Sequence, residues 1–128
     1  MRLPVVILSL LLASTSSQAG FIANYDQWKR LDQPQRLGVV MGFWDQAATM
    51  GDPSNLVDQA QTLGLGDCLA SRNLTASLLL REVEEYYKND PASREHPAAA
   101  VFYDAVVYGL CRRFVNTQRR VRGLKGYQ

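Results

Sequence analysis

Histidine is almost absent from this chain: His96 is the only one in 128 residues. A histidine-based metal site would have to be completed by carboxylates or by the two cysteines. His96 stands directly before Pro97, at an expected helix start, which suits a cap or a surface residue better than a general base. The chain also lacks a serine–histidine–aspartate order in a nucleophile-elbow context, a phosphate-binding loop and a dinucleotide fingerprint. Glu82, Glu84 and Glu85 have no histidine or second acidic stretch beside them, so they read as a solvated helix face. No catalytic residue, metal ligand or cofactor is assigned, and a small binding protein is expected rather than an enzyme. Strand-like alternation, a fixed repeat and low-complexity sequence outside the basic C-terminal end are missing too.

Long hydrophobic runs are equally scarce. The only one, Val5 to Ala13, is well short of the roughly 20 apolar residues that span a bilayer. It follows the positive start Met1-Arg2 and precedes Ser17-Gln18-Ala19, small residues of the kind a signal peptidase reads. Residues 1–19 are therefore expected to be a signal peptide cut after Ala19, delivering the chain to a periplasm with no stable membrane insertion afterwards. In that oxidising compartment the only two cysteines, Cys68 and Cys111, are expected to pair. Closing a loop of about 44 residues contributes roughly 4 kcal/mol in the chain-entropy account. That is comparable with the whole stability of many small domains.

Charge is unevenly spread. The last 17 residues carry Arg112, Arg113, Arg119, Arg120, Arg122 and Lys125 and no acid, while the remainder after the leader has seven bases against 12 acids. The basic end can fold back on the acidic body or meet an anionic surface. No nucleic-acid-reading motif accompanies it, so no nucleic-acid partner is expected.

What remains reads as helix. Phe21 to Leu31 has apolar residues at helical spacing. Asp32 and Pro34 open a second helix reaching about Met50, with Leu37, Val40, Met41, Trp44 and Ala48 on its buried face. Gly38 and Gly42 beside that face either mark a close approach of a neighbouring helix or merely weaken this one. A short helix with Leu56, Val57, Ala60 and Leu63 is expected to stop at Gly64 and Gly66. Thr75 caps a helix to Lys88 with Leu79, Val83 and Tyr86 inward and Leu78, Leu80 and Tyr87 flanking. The polar turn from Asn89 to His96 leads to a last helix, Ala98 to about Phe114, with Val101, Phe102, Ala105, Val106, Gly109 and Leu110 at core spacing. The expectation is an all-α domain of four to five helices stapled by one disulfide over residues 20–111, followed by a basic tail, 112–128.

Four landmarks occur in order: Gly42-Phe43-Trp44-Asp45-Gln46-Ala47; Cys68 with Leu74-Thr75 opening a helix that reaches Glu82-Val83-Glu84-Glu85-Tyr86-Tyr87; Asn89-Asp90-Pro91 followed by His96-Pro97-Ala98-Ala99; and Gly109-Leu110-Cys111. In these the chain resembles the Rap/Tai family of bacterial type VI secretion amidase immunity proteins. The arginine-rich end and the bulky Phe43-Trp44 depart from that pattern. The resemblance implies a mostly helical periplasmic protein, often a homodimer, that binds and blocks a peptidoglycan-cleaving amidase. A cleft is blocked by a rigid protrusion with charged or aromatic anchors. The polar turn is the expected protrusion, with Tyr87, Lys88, Asp90, Arg94 and His96 as its partner-binding side chains. The competing expectation is a periplasmic stress chaperone or accessory binding protein, whose carboxylates would unmask apolar surface on protonation.

Overall fold

A computed structural model describes residues 21–128, and the expected signal peptide lies outside the described residues. Within them the protein is all-α, as expected, and contains no strand. The helices are α1 (Tyr25–Lys29), α2 (Gln33–Thr49), α3 (Leu56–Arg72), α4 (Ala76–Asn89), α5 (Ala98–Phe102) and α6 (Arg112–Val121). A 3-10 turn, Pro91–Glu95, follows α4, and a π-helical segment, Tyr103–Leu110, joins α5 to α6.

Local chemistry sets most of the starts. Asn24 and Thr75 accept hydrogen bonds from the backbone N–H three residues on, at 3.0 and 3.1 Å. At α2 the bond is reciprocal: Gln35 N–H donates to Asp32 Oδ1 and Asp32 N–H to Gln35 Oε1, both at 2.9 Å. Such a box satisfies two N–H groups that the helix leaves unpaired, and each cap of this kind stabilises by about 1 kcal/mol. Asn55 begins α3 in the same manner.

The end of α3 differs from expectation. The helix does not stop at Gly64 and Gly66 but runs to Arg72, where Asn73 in the left-handed conformation (φ 49°) closes it. Packing overrides the glycine signal here. A Cβ on Gly64 would lie 2.5 Å from Val115 Cα and 2.8 Å from Val115 N, so the missing side chain is what lets α6 press against α3. These two helices form the most extensive pair in the fold. One turn along, Cys68 and Cys111 are disulfide-bonded with Cα atoms 5.5 Å apart, and both residues are fully buried. The expected pairing is present. Gly38 and Gly42, in contrast, have no atom of a neighbouring element within 4 Å of an added Cβ, so no other helix among the described residues approaches them closely.

The core is built on Trp28, Val40, Trp44, Leu65, Val83, Tyr87, Phe102 and Val106, around the disulfide. In α2 the fully buried residues are Val40, Trp44 and Ala47, whereas Met41 is exposed. In α4 the inward face is Leu79, Leu80, Val83 and Tyr87 rather than one containing Tyr86. The last stretch shifts by one residue because of the π segment. Cys111 N–H bonds to Val106 O, five residues back, at 2.8 Å. The wider turn brings Val107 and Cys111 into the core and leaves the expected Gly109 exposed. Gly109 suits this turn, since a Cβ there would sit 2.9 Å from Asp104 O.

Residues 112–128 are not a free tail. Arg112–Val121 is helix α6, with Val115 and Asn116 buried. It ends at Gly123 (φ 73°), where Leu124 N–H returns to Arg119 O at 2.9 Å. The chain then folds back. Asn116 Nδ2 donates to Tyr127 O at 2.8 Å, and Tyr127 N–H donates to Asn116 Oδ1 at 2.7 Å. Arg119 lies 4.1 Å over the Tyr127 ring. Of the two expectations for the basic end, the structure shows the fold-back. No helix among the described residues is long and apolar enough to cross a membrane.

Candidate functional site

At one end of the molecule α1, the start of α2, the last turns of α4 and the 3-10 turn converge. Tyr87 is their keystone. Its ring packs against Tyr25 and Trp28 with centroids 5.0 and 6.2 Å away, and its hydroxyl donates to the His96 carbonyl at 3.2 Å. Tyr87 is fully buried. It was expected among the partner-binding side chains, and the structure corrects this: it holds the turn from beneath and offers no surface to a partner.

The other four side chains expected there do gather around the turn, each with a different freedom. Asp90 is committed, because its carboxylate caps the 3-10 turn by accepting from Ala92 N–H at 3.2 Å. Its carbonyl also accepts from the buried Ser93 hydroxyl. Arg94 is partly committed: Nε donates to Tyr87 O at 3.2 Å and the guanidinium lies 5.6 Å over the Tyr25 ring. Its two terminal nitrogens have no hydrogen-bond partner among the described residues. Lys88 and His96 are exposed. The turn is therefore a rigid knob with two free cation-capable positions at its rim, backed by Ala98 N–H, which donates to Ile22 O at 2.9 Å.

Beside the knob lies a cleft of about 260 Å³. Tyr25 and Trp28 line it, and Lys29, Arg36, Lys88 and Arg94 surround it, with Glu84 as the only acid. Arg36 is held in place: Nη1 donates to Glu84 Oε1 at 3.1 Å and Nη2 to Lys29 O at 3.0 Å, with the guanidinium 5.8 Å over the Trp28 ring. Arg36 Nε and Trp28 Nε1 are buried and have no hydrogen-bond acceptor among the described residues. Lys29 makes a loose exposed contact, 3.5 Å to Asp26, and its Nζ lies 5.3 Å over the Tyr25 ring. Sequence reading pointed to Lys88 and Arg94 but not to Tyr25, Trp28, Lys29, Arg36 or Glu84. Tyr25, Trp28 and Lys29 share one turn of α1 and Glu84 lies one turn before Lys88 on α4, but no spacing in the chain links α1, Arg36 of α2 and α4 to one another.

The opposite flank of α4 is acidic. Glu82, Glu85, Asp90 and Asp104 border a second cleft of about 320 Å³. Asp104, on the π segment, is the second acidic element that the glutamates lack in the linear sequence. Burial, followed by the nearby Asp104 and Asp90 carboxylates, pushes the Tyr86 hydroxyl above its ordinary range. No group of three or more His, Cys, Asp or Glu side chains among the described residues is arranged to hold a metal ion.

Burial pushes the Tyr87 hydroxyl up to about 12. The folded chain thus keeps a proton that the unfolded chain releases near pH 10. The contribution of this group to stability should be level below pH 10 and fall between pH 10 and about 12. Tyr86 and Tyr108, both raised, act in the same direction. In urea unfolding at pH 9 and pH 11, Tyr87→Phe should show a smaller alkaline loss than the unsubstituted chain. An equal loss would place the titration elsewhere.

The fold and this site define a disulfide-stapled all-α scaffold that carries a pre-ordered polar knob between a basic and an acidic cleft. No family model, curated protein or solved structure matches the chain.

Proposed function

We propose that the protein is a periplasmic immunity protein that binds and occludes a peptidoglycan amidase delivered by a type VI secretion system, acting by binding and without chemistry of its own. The observation that carries this reading is the order built into the turn at residues 89–96. A loop fixed by an Asp90 cap, a buried Ser93 and a buried Tyr87 hydroxyl loses little conformational entropy on entering a cleft. The disulfide supports an oxidising compartment, and the landmarks from Gly42 to Cys111 supply the family expectation.

Structure sharpens the choice of test. Charge reversal at Asp90 or Arg94 would disturb the turn itself, whereas the side chains of Lys88 and His96 make no hydrogen bond among the described residues. The tagged, oxidised chain is used to capture partners from its own cells, and the captured species is assayed for peptidoglycan hydrolysis. A single stoichiometric hydrolase inhibited by the chain is expected. Lys88→Glu with His96→Glu should weaken that inhibition by about tenfold or more, a loss of roughly 1.4 kcal/mol. Stability should change by no more than about 0.5 kcal/mol, as for ordinary surface substitutions. Many substoichiometric clients whose binding grows as pH falls would instead establish the chaperone reading. Unchanged inhibition in the double variant would remove the knob from the interface.

A further inference from the structure

The basic cleft is unusual for a chain whose body is otherwise acidic. Four cations from α1, α2, α4 and the 3-10 turn face one small volume, and a single carboxylate, Glu84, answers them. That carboxylate is already engaged by Arg36. Lys88, the terminal nitrogens of Arg94 and, apart from its loose contact with Asp26, Lys29 remain as donors without a firm acceptor. Beneath them Arg36 Nε and the indole N–H of the fully buried Trp28 are further donors with no partner among the described residues. Desolvating donors without acceptors is costly. Holding like charges together adds to that cost. An entering anion relieves both.

The lining also narrows the kind of anion. The half-buried Tyr25 ring gives methylene groups an apolar edge to pack on, whereas the fully buried Trp28 contributes only its indole N–H. The planar fork of Arg94 matches the two oxygens of a carboxylate. The volume admits one side chain or one small acid, not an extended polymer.

We propose that this cleft is a binding site for an alkyl carboxylate, a carboxyl group on a short aliphatic stem, seated beside Tyr25 and held by Lys29, Lys88 and Arg94. The stem can belong to a glutamate side chain of a polypeptide or to a free small dicarboxylic acid. The inference does not depend on the immunity reading, because the site is complete within this chain and can be titrated without an amidase.

The test is a ¹⁵N–¹H NMR titration of the oxidised chain at constant ionic strength with three probes: glutarate, an acetylated tetraglutamate peptide amide, and sodium chloride. Saturable shifts centred on the Trp28 indole N–H and the backbone of Lys88 and Arg94 are expected with at least one carboxylate probe and not with chloride. A response to glutarate alone identifies a free acid as the natural source; a response to the peptide alone identifies a protein side chain. Lys29→Met with Lys88→Met, which removes two charges and no hydrogen bond that holds the fold, should weaken binding by about tenfold. Its far-UV spectrum and melting curve should match those of the unsubstituted chain. Shifts spread evenly over all exposed cations, shifts reproduced by chloride, or affinity retained in the double variant would each overturn the proposal.

Discussion

Reduction of the Cys68–Cys111 bond, or the double substitution Cys68→Ala/Cys111→Ala, should lower the melting midpoint by roughly 15–25 °C. The bond closes a sequence separation of 43 residues. In the chain-entropy account a loop of that size restricts the unfolded ensemble by about 4 kcal/mol. Its placement adds to the effect, because both sulfurs lie in the centre of the core, where α3 meets the start of α6. Circular-dichroism melts with and without reductant measure the difference. A shift of only a few degrees would mean that the helical packing holds the fold without the covalent link.

Gly64→Ala should cost roughly 1–3 kcal/mol despite alanine's better helix propensity, because the added methyl meets backbone atoms of Val115 rather than the end of a flexible side chain. Side chains can rotate away from an intruding group, but a helix backbone has to move as a body. Urea unfolding of Gly64→Ala beside Gly38→Ala, Gly42→Ala and Gly66→Ala makes a matched set. The last three replace helical glycines whose Cβ would meet nothing within 4 Å, and each should gain about 0.5–1 kcal/mol. A loss at Gly38 and Gly42 would have a specific meaning: a second copy of the chain covers that face of α2, as a homodimer would require.

This comparison also shows where the sequence was legible. The helix starts were readable because their signals are local: Asp32 with Pro34 and Thr75 act within one turn of themselves. The disulfide was readable because only two cysteines exist. The glycines were not, since nothing in the chain distinguishes Gly64, which faces Val115 some fifty residues later, from Gly38 and Gly42, which face no neighbouring element among the described residues. Tyr86 and Tyr87 were exchanged for a similar reason, because adjacent positions on a helix differ by only about 100° and both are tyrosines. Of the candidate site, the turn was visible as a polar break and its rim cations as charges within it. The cleft beside it was invisible, because the approach of Tyr25, Trp28 and Lys29 on α1 to Arg36 on α2 and Glu84 on α4 is tertiary.

The π-helical segment carries an implication for how this chain would be aligned with any relative. A π turn holds one residue more than an α turn covering nearly the same distance, so it acts as an insertion absorbed inside a helix. A homologous chain lacking one residue between Tyr103 and Leu110 could keep the second cysteine opposite the first by closing the segment into ordinary α-helix. Its alignment would show a gap in the middle of a helix, where gaps are normally penalised most. Distance measured along the sequence to Cys111 is then a poorer guide to kinship than the side of the core on which that cysteine arrives.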